Sequence, residues 1–133
     1  MLIDCDIHVG YETIADLIPY LDAPTAELVR QSGTNGLAMP TYPWNHPAGW
    51  IRRDLYERED GHDANFVYMS LDTLRARHLD PYGVDIGVVE PDEAAVFSVL
   101  PNAQLAARLC SAYNDWLLDT WLLPEPRLRG MIV

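Results

Sequence analysis

The chain has 133 residues, 49% hydrophobic and 22% charged, with a net charge of −11; this bounds it to one modest globular domain and excludes a disordered or low-complexity chain. All nine basic residues are arginine, and a surface this acidic repels phosphate backbones and anionic headgroups, so neither nucleic acid nor a membrane is an expected partner. No apolar run approaches the ~18–20 residues of a membrane span, and Met1-Leu2-Ile3-Asp4 lacks the basic start of a signal peptide, so a cytoplasmic protein is expected.

The chain opens on a strand. In Leu2 to Val9 the apolar residues Ile3, Cys5, Ile7 and Val9 alternate with Asp4, Asp6 and His8, a period of two that places the polar three on one face. Gly10 ends it. Glu12 to Leu21 is expected to be a short helix whose last turn Pro19 weakens, and Thr25 to Gln31 a second helical piece closed by Gly33. Thr34 to Trp50 is rich in Gly, Pro, Thr and Asn, and Arg52 to Asp63 is charged. Together they predict a long insert over about 34–66, its aromatics and prolines forming a lid or pocket wall.

Ser70 opens a helix, with Asp72 suited to its positive end. Leu71, Leu74 and His78 or Leu79 share a face, and Asp80-Pro81-Tyr82-Gly83 stops it, Gly83 as a left-handed residue. Val84 to Val89 is a β-branched strand ended by Pro91. Asn102 caps the longest helix, to about Leu123, which is apolar nearly all round; Tyr113, Trp116 and Trp121 are spaced for packing. Pro124 and Pro126 stop it, and Leu128 to Val133 begins another strand. Alternating strands and helices imply α/β architecture with a parallel sheet. An apolar strand at the end of the chain needs a neighbour on its open edge, so truncation of a larger fold is expected. Neither cysteine, Cys5 nor Cys110, has metal-site spacing; both are expected as buried, unpaired thiols.

Chemistry concentrates at the first strand. Asp4, Asp6 and His8 project about 7 Å apart at each step of two residues. Two carboxylates and an imidazole are costly to bury without partners, and a divalent cation satisfies them together. Oxygen and neutral imidazole donors suit zinc first, with manganese or iron as alternatives. Asp6 and His8 lie at the C-terminal end of the strand, where parallel α/β folds place their sites. The same alternation also fits an amphipathic strand with one wet face. Trp44, His46 and Arg52 in the insert, and Glu90 at the end of the second strand, are candidate substrate contacts. Their bland alternatives are a surface loop packed on its own aromatics and a solvated strand-terminal acid. His62 lies among charged residues and is read as solvated, and His78 as a complement to a helix C-terminus. No Ser-His-Asp arrangement, phosphate loop or nucleotide-binding glycine pattern is present.

Ile3-Asp4-Cys5-Asp6-Ile7-His8 resembles the opening strand of the amidohydrolase-related family that includes the aminocarboxymuconate-semialdehyde decarboxylases and other metal-dependent hydrolases and decarboxylases. Three further segments resemble that family in order: His78 to Asp85 its helix-to-second-strand turn, Ala112 to Leu117 the helix before its third strand, and Pro126 to Gly130 the approach to that strand. The resemblance implies that residues 1–133 form the N-terminal part of a (β/α)₈ TIM-type barrel, with about three parallel strands and covering helices. It implies Asp6 and His8 as the first two metal ligands, the remaining ligands and the proton-handling aspartate lying beyond Val133. It implies a hydrolase or non-oxidative decarboxylase of a small carboxylic acid, aromatic ones included, open to homo-oligomerisation and with negligible activity as a fragment. The catalytic residues themselves stay unassigned. The alternative is a non-catalytic acidic α/β interaction module or a decayed enzyme remnant.

Overall fold

A computed structural model of the chain describes residues 1–11, 13–32, 68, 70–91 and 93–133. β1 (Ile3–Val9) leads to a 3-10 segment, Ile14–Tyr20, and then to α1 (Ala23–Ser32). α2 (Leu71–Leu74) continues through a π-helical turn, Arg75–Leu79, into α3 (Asp80–Tyr82) and then β2 (Ile86–Pro91). A second 3-10 segment, Glu93–Val99, precedes α4 (Ala103–Leu117), the π-helical turn Leu118–Leu122 and β3 (Leu128–Gly130). The strands form one parallel sheet in the order β1-β2-β3. The chain is therefore α/β with a small parallel sheet and helices. Among the described residues no helix is long and apolar enough to cross a membrane.

Local chemistry sets the element ends. The Thr13 hydroxyl accepts the Ala15 N–H and the Asp16 carboxylate accepts the Thr13 N–H, a reciprocal cap. The segment it starts is 3-10 rather than the expected α-helix, and it carries Pro19 inside it. Ser70 and Asn102 cap α2 and α4 through their side-chain oxygens. Gly83 ends α3 at φ 62°, a left-handed conformation that costs other residues about 1–2 kcal/mol.

Both π-helical turns solve the same packing problem. Leu74 and Leu79 are five residues apart, as are Trp116 and Trp121, and all four are buried. An α-helix would rotate the second member of each pair off the core face, whereas the wider i→i+5 turn keeps both inward. The core joins these to Ile7, Val9, Leu17, Phe97, Leu109 and Tyr113. Tyr11 stacks on Phe97 at 6.4 Å between ring centroids and meets Trp116 edge-on at 6.0 Å. On the central strand the side chains of both neighbouring strands close over Gly87, where a Cβ would stand 2.7 Å from Ile7 Cδ1 and 3.1 Å from Leu128 Cδ2.

Three expectations are corrected. The register of β1 against β2 slips by one residue between Asp4 and Ile7, because Asp4 aligns with Gly87 but Ile7 with Val89. An extra residue inverts face parity, so Asp4 does not share a face with Asp6 and His8. The slip also breaks the expected apolar stripe: Ile7 and Val9 are buried while Ile3 and Cys5 are exposed. Cys5 and Cys110 are both free, but neither is fully buried.

Candidate metal centre

Parallel pairing brings the C-terminal ends of β1 and β2 to one edge of the sheet, with His8 opposite Glu90 and Val9 opposite Pro91. On its other side the end of β1 is held by Tyr68, whose N–H donates to the His8 carbonyl at 2.9 Å and whose carbonyl accepts from Gly10 at 3.1 Å. The His8 backbone is thus fixed from both sides, by β2 and by Tyr68.

Asp6, His8 and Glu90 form a mixed-donor cluster at this edge. One ligand atom from each lies within 4.8 Å of the others. His8 Nε2 stands 3.2 Å from Asp6 Oδ1, with His8 35% and Asp6 78% exposed. Among the described residues no arginine pairs with Asp6 or Glu90; the arginine ion pairs go to Asp22, Glu27, Asp72, Asp80 and Glu125. Of the sequence candidates, Asp6 and His8 come together. Glu90, read from the sequence as a substrate contact, joins them. Trp44, His46 and Arg52 lie outside the described residues, as do the insert and His62.

Asp4 does other work. Its Oδ2 meets His78 Nε2 at 2.7 Å, and its Oδ1 accepts the Asp6 N–H at 3.1 Å within the irregular stretch of β1. His78, a basic residue in the last turn of its helical segment as expected, also reaches across to β1. It lies in the first π-helical turn, against the rings of Tyr68 and Tyr82, and ties that turn to β1. Burial pushes the Tyr68 phenol above its ordinary range. One carboxylate thus satisfies the loosened backbone at Asp6 and anchors a helix beneath it.

At the opposite end of the sheet, near the start of β3, Glu125 is buried and four-fold bonded. It accepts from Arg75 Nε at 2.8 Å and from Arg127 Nε, Nη2 and N at 2.8, 3.0 and 3.2 Å. Arg127 also reaches Asp80 at 2.9 Å. Donation from Arg127, reinforced by Arg75, pulls the Glu125 carboxyl down to about 2. These groups are saturated by one another and hold the sheet to α3. The sequence reading missed this network because Pro124-Glu125-Pro126 reads as a helix stop; the signal available was an acid followed two residues later by arginine.

The donors Asp6, His8 and Glu90 fit a divalent cation of intermediate hardness: two carboxylate oxygens and one imidazole nitrogen, with no soft sulfur in the cluster. No protein-family model matches the chain, and no curated protein matches it.

Proposed function

We propose that this chain carries the opening strands of a metal-dependent parallel α/β-barrel enzyme of the amidohydrolase-related type, a hydrolase or non-oxidative decarboxylase of a small carboxylic acid. The observation that carries the reading is the cluster of Asp6, His8 and Glu90 at the C-terminal ends of two adjacent parallel strands. Ligand sites in parallel α/β sheets concentrate at that edge. The likeness of the β1 sequence to the family's opening strand supports it.

Asp6 and His8 would hold the cation, zinc first and manganese or iron as alternatives. When bound, such an ion supplies a Lewis acid that polarises a substrate oxygen or brings a bound water towards a pKa of about 7. The chain's own part is positional. The strand pairing and the Tyr68 clamp fix the His8 backbone, and the Asp4 carboxylate holds the Asp6 N–H. Asp6, mostly exposed, stands where solvent and a small acid have access.

The test is zinc binding by the 133-residue chain and by Asp6→Ala and His8→Ala, followed by titration of the metal-loaded protein with benzoate and its ring-hydroxylated derivatives. Binding that is lost in both variants, and a carboxylate response that appears only with metal, supports the reading; binding unchanged in both variants contradicts it. A second reading, a non-catalytic interaction module, is favoured by exposed apolar side chains beside the sheet, Ile3 at 46%, Met131 at 46% and Ile132 at 82%. It expects no metal binding and no response to carboxylates.

A further inference from the structure

We infer that Glu90 is a third protein donor of this centre, so that β1 and β2 together, rather than β1 alone, form a cation site. The inference rests on the metal reading of Asp6 and His8 and adds to it a ligand from a second strand.

The register is the first support. Directly paired residues of adjacent strands project to the same face, about 4.8 Å apart along the sheet. His8 is paired with Glu90, and Asp6, two residues before His8, shares the His8 face. The slip in β1 is what makes this so: it turns Asp4 away to His78 while leaving Asp6 and His8 in phase with Glu90. Three donors therefore meet within 4.8 Å although they come from two strands.

Charge is the second, independent support. The chain neutralises the buried carboxylate of Glu125 with two arginines, yet it brings Asp6 and Glu90 together with no arginine paired to either among the described residues. Two carboxylates at this separation repel. A divalent cation bound by two carboxylates and a neutral imidazole closes the site at zero net charge. Three protein donors with open positions is the donor count of catalytic zinc centres, whereas two seldom hold the ion well.

The experiment titrates the 133-residue chain with zinc against a chromophoric chelator, and with cobalt(II) while recording visible absorption, for wild type, Asp6→Ala, His8→Ala, Glu90→Gln and Glu90→Asp. One cation per chain is expected. Glu90→Gln is expected to weaken zinc by about 100-fold or more, beyond the ~10–100-fold typical of an outer-shell group, and to change the cobalt bands. Glu90→Asp, which keeps the carboxylate, is expected to lie closer to wild type and serves if the glutamine variant misfolds. If both Glu90 variants keep wild-type affinity and bands while His8→Ala abolishes binding, this inference is overturned and the reading of Asp6 and His8 stands. If Asp6→Ala and His8→Ala also bind as wild type does, both fail.

Discussion

Glu125 carries the strongest single-residue expectation in the molecule. Its carboxyl is held at about 2 instead of 4.5, chiefly by Arg127. A depressed folded-state value means stability that is fully present above the unfolded value and lost as pH falls. The loss should therefore run from about pH 4.5 down to about pH 2, and linkage places it on the order of 3 kcal/mol. Glu125→Gln should lower stability at pH 7 by about 3 kcal/mol, because Arg75 and Arg127 keep their charges without the carboxylate, and should flatten the acid dependence. Denaturant melts of both proteins between pH 2 and pH 7 check this; parallel pH profiles would show that Glu125 does not control acid unfolding. The residue scale also shows what the sequence hides. Asp4, Asp6 and His8 look equivalent in a two-residue repeat, yet one inserted register step assigns Asp4 to His78 and leaves only Asp6 and His8 facing Glu90.

At the scale of elements, most of the fold was legible because its signals are local. Ser70, Asn102 and Gly83 act where capping chemistry places them. The β-branched run at Ile86 to Val89 is a strand, and the aromatics of α4 are core. The π-helical turns were not legible, because their cause is tertiary: Leu74 with Leu79, and Trp116 with Trp121, must both face inward at a spacing that α-helical periodicity does not serve. The 3-10 segment Glu93–Val99 was likewise unread. It is too short for a periodic signal, although its Ala94 and Phe97 are buried. The exposure of Ile3 and Cys5 follows from the slip in β1, which depends on β2 and leaves no mark in either segment alone. Close packing gives a test at this scale. Gly87→Ala puts a methyl within 2.7 Å of Ile7 Cδ1, and overpacking of this kind typically costs about 1–3 kcal/mol. Gly83→Ala meets no atom within 4 Å, so its cost is only the left-handed backbone, about 1–2 kcal/mol. Pairing Gly87→Ala with Ile7→Val should recover part of the loss in thermal melts, while Gly83→Ala should gain nothing from it. Equal behaviour of the two glycine variants would contradict the packing account.

For the whole molecule, the parallel sheet divides the chemistry between its two ends. The end near Glu125 pairs each charge internally, so it contributes stability. The other end gathers Asp6, His8 and Glu90 with no arginine among the described residues to balance them. A chain of net charge −11 has no general electrostatic reason to group carboxylates there. The sequence pointed to Asp6 and His8 because they share one strand; Glu90 could be attached to them only by a register that joins residues 82 positions apart, His8 to Glu90. The most direct test of the account is the stoichiometry of zinc bound to the purified 133-residue chain at neutral pH, measured by chelator competition. One zinc per chain, abolished by His8→Ala without loss of the fold by circular dichroism, is the expected result. A folded wild-type chain that takes up no zinc, manganese or iron(II) would contradict the central claim.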